Sequence, residues 1–364
     1  MKTVRIGRWQ LFLLTANFTI GTTVFVLLGT LIEAGRQDAW LIPLWGGAFG
    51  CALAAFWSSL LNRYPGHNIV GVCRIVLGPK IGSAVALMYV WYCVNVASWV
   101  TRNLSDFLKM TIMPHTPMHV IHVMFLLVAG YAVVKGIEPI ARLMEIFAPI
   151  MFLSFWFVLF VAVSPWEWHH FRPVFGTDLR ATFLKTVSFL GFPFMQAMVV
   201  TFVWPFAGRK AMLPFVGGIA AAAVSLSAII AFLLGIMGIY RSSHLTFPLF
   251  TLAQEVEVGS VLQHLESIMS MIWLLLIFSQ LSVSLFGAFE GLREIFRLRT
   301  RKPIVAALIL IISALAVTIE ENIQTNLEWN QKYTFPYFSF LMIVVPLVLY
   351  AVGWIKRRTR GKTA

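Results

Sequence analysis

The sequence predicts an all-α integral membrane protein of about ten transmembrane helices. They are expected as two five-helix repeats of opposite orientation, with helices one and six broken. Three observations predict this. Of 364 residues, 59% are hydrophobic and only 12% charged, with a mean hydropathy of +0.83; a soluble domain needs about twice that charged fraction to hydrate its surface. Apolar runs of about 20 residues, long enough to cross a ~30 Å hydrocarbon core, recur from end to end. Glycine, or glycine with proline, interrupts the first and the sixth of these runs near their middles. The composition excludes a water-soluble globule, and equally disorder, which needs low hydrophobicity and many charges.

The runs fall at about 9–31, 39–61, 81–101, 118–136, 140–162, 182–205, 214–238, 265–289, 303–321 and 334–355. Continuous apolar runs mean helices, because lipid tolerates only helices and closed barrels. Lys2, Arg5 and Arg8 ahead of the first run imitate a signal peptide, but no small-residue cleavage site follows, so a retained helix is expected. Trp9, Trp40, Trp99, Trp204 and Trp354 lie near run ends and are expected as interfacial anchors. Pro43, Pro149 and Pro346 read as ordinary kinks, and Gly46-xxx-Gly50 and Gly287-xxx-Gly291 as close-packing seams. Thr246–His264 reads as a short amphipathic helix outside the membrane, opened by Pro248, ended by Gly259 and carrying Leu249, Leu252 and Val256 on its apolar face.

The net charge of +13 is accounted for by topology. With the N-terminus inside, 20 of the 28 Lys and Arg fall in cytoplasmic segments and 8 outside, which favours both termini cytoplasmic. Nucleic acid is therefore not needed as a partner, and the basic stretches at Arg293–Lys302 and Lys356–Lys362 read as topology signals that also touch lipid headgroups. Residues 1–364 read as one membrane domain. Five helices (9–162) repeat as five more (182–355), offset by about 173–185 residues, ahead of a basic tail at 356–364. An odd number per repeat requires the second to be inverted across the membrane.

Inverted-repeat folds place their binding site where matched helices of the two halves are broken. The first run reads Asn17-Phe18-Thr19-Ile20-Gly21-Thr22-Thr23 and the sixth Phe189-Leu190-Gly191-Phe192-Pro193-Phe194. Proline removes an amide and clashes with the preceding turn, which frees carbonyls. Either break alone is as easily structural as functional; the matched pair favours a ligand site.

Arg8-Trp9-Gln10-Leu11 leading to Ile20-Gly21, Phe192-Pro193-Phe194, and Leu265-Glu266-Ser267 opening the eighth run resemble the spore germinant receptor B subunits over the whole chain. The resemblance implies the amino acid–polyamine–organocation superfamily and hence a LeuT-type inverted repeat. It further implies a permease-like subunit of the spore inner membrane that binds a small germinant and works with an A-type membrane protein and a C-type lipoprotein. Many members of this family carry an acidic residue near the position of Gln196, where this chain is neutral.

No Asp, Glu, Lys or Arg falls near the middle of any run, and Arg142, Glu145 and Lys185 lie close enough to run ends to snorkel. Proton-coupled carriers usually need intramembrane ionisable groups. What remains is backbone: helix ends at Gly21 and at Gly191–Pro193 offering amides to an anion and carbonyls to a cation. A carboxylate beside an ammonium describes a neutral amino acid. The candidate binding residues are Thr19, Ile20, Gly21, Thr22, Thr23, Tyr92, Asn95, Gly191, Phe192, Phe194, Gln196, Ser279 and Ser282, although each hydroxyl taken singly serves a helix–helix bond more often than a ligand.

The other clusters weigh less. His115, His119 and His122 read as interfacial polar residues, and the adjacent His169 and His170 would point apart on an α-helix, so no metal site is expected. Cys51, Cys73 and Cys93 are too few and too scattered for disulfides or zinc. No cofactor is implied, and neither a P-loop, a G-x-S-x-G nor an H-E-x-x-H is present, so an enzyme is not expected. The leading reading is a germinant-sensing subunit; the alternative is a secondary amino acid transporter.

Overall fold

The computed structural model describes residues 6–163, 166–208, 210–255, 265–319, 325, 328, 329 and 332–360. Among these residues the chain is helical throughout, and the sole extended pairing is a parallel bridge between Ile6 and Ala207. Nine stretches are long and apolar enough to cross a membrane, and Lys302–Thr318 is a shorter apolar helix of 17 residues. Together they fall where the ten apolar runs lie. Val256 and Gly259 of the expected amphipathic helix, Arg209, and the last four residues of the basic tail lie outside the described residues.

The first span is split into α1 (Arg8–Ile20), α2 (Thr23–Val26) and α3 (Leu28–Gly35). A 3-10 turn, Arg36–Leu41, leads into α4 (Ile42–Asn62). Pro43 stands in the first turn of α4, where its missing amide is harmless, and so starts the helix instead of kinking it. After the short α5 (Ile69–Leu77) come α6 (Pro79–Thr111), α7 (Met118–Lys135) and α8 (Ile137–Val161).

The third span is longer than expected. It continues to Thr111 because Arg102 and Asp106, one turn apart, pair at 3.0 Å and are buried together. The expected run ends at residue 101, short of both, with Arg102 among the eight basic residues outside. Paired on one helix face, the two neutralise each other and allow the helix to go on.

The sixth span begins as α9 (Leu179–Thr186), tightens to a 3-10 turn over Val187–Leu190, breaks at Gly191–Phe194, and resumes as 3-10 helix over Met195–Phe206. It is followed by α10 (Met212–His244), bent at Gly238 (φ +72°), α11 (Pro248–Glu255), α12 (Leu265–Phe296) and α13 (Lys302–Thr318). The tenth span comprises α14 (Thr334–Ser339), a π-helical turn over Phe340–Val344, and α15 (Val345–Arg360).

The π turn has a chemical cause. Pro346 has no N–H for the carbonyl four residues back, that of Met342. Trp57 of α4 donates its indole N–H to that carbonyl at 2.8 Å, and the Tyr89 hydroxyl of α6 donates to the neighbouring Leu341 carbonyl at 2.7 Å. What reads in sequence as an ordinary proline kink is a docking point for the second and third spans.

The core runs along α6 and α12, which pack on each other, with α1 lodged against α8, α10 and α12. Large apolar side chains such as Leu127, Phe152, Leu153 and Leu310 are exposed on the periphery, as lipid-facing residues are. Two of the expected interfacial tryptophans are instead core: Trp99 packs on Trp329 (4.8 Å between ring centroids) and Phe338, and Trp204 on Phe215. Trp9 and Trp354 are exposed, as anchors should be.

The glycine seams do pack closely. A Cβ on Gly46 or Gly50 of α4 would lie 2.6 or 2.9 Å from the ring of Phe194, and one on Gly47 would lie 2.2 Å from Ala223 and 3.8 Å from that ring. Gly287 and Gly291 of α12 are similarly close to Cys93 and Val90 of α6.

Candidate functional site: the broken first and sixth spans

At the break in the first span Gly21 adopts φ +23°, ψ −120°, a conformation that an L side chain rarely takes. The helix stops because its next amide turns away. In a continuous helix the Thr22 N–H would bond the Phe18 carbonyl; here it donates to the side-chain Oε1 of Gln280 on α12, at 3.0 Å. The Gln280 amide fills the space beside Gly21 so closely that a Cβ there would sit 2.3 Å from Oε1. Gln280 lacks any motif that would have singled it out; its neighbours Ser279 and Ser282 were the nearest signal.

Six of the expected and newly found site residues carry buried polar atoms without a protein partner: Thr22 Oγ1 and Gln280 Nε2 at the break itself, and Tyr92 OH, Gln196 Oε1, Ser279 Oγ and Ser282 Oγ on α6, the broken sixth span and α12. Each is an uncompensated cost of about 1–3 kcal/mol. Native interiors satisfy nearly all buried polar groups, so Thr22 and Gln280, which meet at the break and each keep an unpartnered atom, mark it. The six come from α6, α12 and the two broken spans, and α12 packs against each of the other three.

The remaining candidates divide. Thr19 donates its hydroxyl to Thr15 O at 2.9 Å and Asn95 its amide to Trp91 O at 3.0 Å, each within its own helix, and Thr23 of α2 donates to Thr19 O of α1 at 3.3 Å, across the break. Thr23, Phe192 and Phe194 share a narrow cleft, of about 10 Å³, with Leu27, Gly46 and Thr186. Ile20 faces a different cleft, of about 70 Å³, with Asn17, Val24 and Met151. Gly191 is pressed against the start of the tenth span, where a Cβ would meet Thr334 and the Phe335 amide at 2.8–2.9 Å. Tyr92 packs edge-on to Phe338, 5.0 Å between centroids.

An aromatic stack closes the site from the side on which the first span ends. Phe107 lies 4.2 Å from Trp273, 5.5 Å from Phe25, and 5.2–5.3 Å from Phe247 and Phe250. Phe25 is about one turn beyond Gly21 and Trp273 about two turns before Gln280. The expected amphipathic helix thus exists as α11: Leu249, Leu252 and Phe250 are buried and Glu255 pairs with Arg241 on the surface.

Charge remains at the ends of spans. Besides Arg102–Asp106, the buried Glu290 on α12 pairs with Arg293 at 2.8 Å, and Gln10 donates to Glu145 at 2.6 Å. Two readings of histidine need correction. His122 is not interfacial: it is fully buried, with Nε2 2.8 Å from Ser105 Oγ of α6. His169 and His170 do not point apart: although adjacent side chains of a 3-10 turn such as Trp168–Phe171 leave the backbone about 120° apart, the two rings approach to 4.3 Å between centroids.

The spore permease family, described as spore germination protein, matches residues 5–325. The chain belongs to this family. Spore germination protein KB of Bacillus subtilis (strain 168) is 24% identical over 100% of this chain and 98% of its own length. Spore germination protein B2 of the same strain is 23% identical over 96% and 95%. Among solved structures, MhsT in complex with L-phenylalanine superposes with a TM-score of 0.70 at 13% identity, covering 94% of this chain and 89% of that one. Mhp1, a nucleobase-cation-symport-1 family transporter in a closed conformation with bromovinylhydantoin bound, gives 0.65 at 15%, covering 93% and 78%. The fold is thus that of LeuT-type transporters, and this spore germination permease is an integral membrane protein of the germinant-receptor type, not an enzyme.

Proposed function

We propose that the chain is the ligand-sensing subunit of a spore germinant receptor. It binds a small germinant, a neutral amino acid, between its broken first and sixth spans and passes the signal to an A-type membrane protein and a C-type lipoprotein. It works in the spore inner membrane with both termini cytoplasmic. The observation that carries this reading is the helix break at Gly21–Thr22, where Thr22 Oγ1 and Gln280 Nε2 are buried without a partner. Gln280 Oε1 occupies the Thr22 amide, the position that a ligand carboxylate oxygen would take; the carboxylate displaces it, and the movement of Gln280 transmits occupancy to α12. The hydroxyls and the Gln196 carbonyl then serve the ammonium and the backbone of the ligand. A charged side chain would enter with no partner, at a cost of several kcal/mol.

The test is a thermal-shift or competition panel of free amino acids against their amides and N-acetyl forms. Free apolar amino acids are expected to stabilise the protein, and blocked or charged ones not. Equal effects from blocked and free compounds would refute recognition by helix ends, and a response only to sugars or nucleosides would refute the amino acid. A transporter is the second reading, favoured by the solved structures that share the fold. Purified protein in liposomes separates the two: a sensor binds labelled amino acid without net flux.

A further inference from the structure

After five spans the chain turns back through Glu167 and the 3-10 turn Trp168–Phe171, on the face opposite the N-terminus. This turn is fastened to the bent seventh span: the Glu167 amide donates to the Gly235 carbonyl at 2.8 Å. Within the turn, His169 Nδ1 lies 3.0 Å and His170 Nε2 3.6 Å from one carboxylate oxygen, Oε2 of Glu167. One ligand atom from each of the three residues falls within 4.8 Å of the others. A tetrahedral zinc ion with bonds of about 2.0–2.2 Å holds its donor atoms about 3.3–3.6 Å apart, close to the 3.0 and 3.6 Å at which the carboxylate oxygen stands from the two imidazoles.

Two further observations fit a metal. The other ring nitrogen of His170, Nδ1, faces the Gly235 carbonyl at 3.4 Å. A carbonyl at that position favours the proton on Nδ1 and leaves the Nε2 lone pair directed at the cluster, the usual outer-shell arrangement of a metal-bound imidazole. At the bend, Gly238 (φ +72°) leaves room beside that nitrogen: a Cβ there would stand 3.0 Å from His170 Nε2. Two imidazoles and one carboxylate suit zinc and its transition-metal neighbours, whereas magnesium and calcium prefer all-oxygen sites.

We propose that Glu167, His169 and His170 form a binding site for a divalent transition-metal cation of the zinc class, with its fourth position open to water. The bound ion ties the turn between the fifth and sixth spans to the bend in the seventh. It lies apart from the broken helices and does not depend on what binds there.

The experiment is zinc titration of the purified full-length protein in detergent, by calorimetry, with cobalt(II) absorption reporting the coordination geometry. Saturable uptake of one equivalent and a tetrahedral cobalt spectrum are expected. His169→Ala with His170→Ala should weaken binding at least a hundredfold and Glu167→Gln about tenfold, while His115→Ala with His119→Ala leaves it unchanged. All these side chains except that of His170 are largely exposed, so thermal unfolding without metal should match the wild type and show that the variants fold. Absence of saturable zinc uptake, or zinc binding unchanged in the His169/His170 variant, would overturn the proposal.

Discussion

Replacing Gly21 with alanine tests the break and its coupling to α12 together. The backbone at φ +23°, ψ −120° costs a non-glycine residue about 1–2 kcal/mol, as other sparsely populated conformations do. The new Cβ would stand 2.3 Å from Gln280 Oε1, so the amide must swing away and abandon its 3.0 Å bond from the Thr22 N–H. A buried amide left unpaired costs about 1–3 kcal/mol. Gly21→Ala should therefore destabilise the protein by about 2–5 kcal/mol. Gln280→Ala alone loses only the hydrogen bond, about 1–3 kcal/mol. With Gln280 shortened, alanine at 21 adds only its backbone cost, so the double variant should be about 1–3 kcal/mol more stable than the two single effects combined. Denaturant unfolding in detergent, followed by tryptophan fluorescence, supplies the cycle. Additive effects would show that Gln280 does not hold the break, and an unperturbed Gly21→Ala would remove the strained glycine as well.

Tyr92→Phe deletes an unpartnered buried hydroxyl, so the free protein should gain up to about 1–3 kcal/mol while the response to germinant falls; loss of stability would mean that the hydroxyl has a structural partner. Trp57→Phe leaves the Met342 carbonyl unpaired and should cost about 1–3 kcal/mol, largely restored by adding Pro346→Ala, whose N–H can return to that carbonyl; failure of the second change to help would refute the cause given for the π turn. Burial pushes the Cys73 thiol on α5 up to about 12, so it stays protonated across the neutral range and maleimide should leave it unmodified in the folded protein; prompt labelling of Cys73 would contradict that burial. A cysteine placed at Lys332 should label from outside intact cells and one at Arg358 should not; the reverse pattern would overturn cytoplasmic termini.

The spans and their two interruptions were legible because hydrocarbon leaves the chain few choices: length, apolarity and a glycine at mid-run carry the information. Less visible was whatever depends on pairing at a distance. Arg102 and Asp106 look like loop charges until they are seen one turn apart on a helix that buries both. Gln280 becomes part of the site only through an amide 258 residues away. Trp99 and Trp204 have the composition of anchors, yet neighbouring aromatic rings enclose them. The histidine pair at 169 and 170 shows that helical spacing alone does not fix where rings lie: α or 3-10 geometry separates adjacent side chains by about 100–120° at the backbone, yet these two rings approach to 4.3 Å. Thr19, Thr23 and Asn95 show the opposite limit, since a polar residue in a broken helix can spend its hydrogen bond on its own backbone.

The ring of Phe194 in the floor left by Gly46 and Gly50, with Gly47 beside it, also bears on how such a chain changes over generations. A methyl group added at Gly46 or Gly50 collides with that ring, and a small side chain at 194 leaves a hole beneath it. Neither single step is neutral, so the second span and the break in the sixth form one heritable unit. A change of the ring would call for a matching change in its floor, so the size that residue 194 can take is set by the opposite helix as much as by its own.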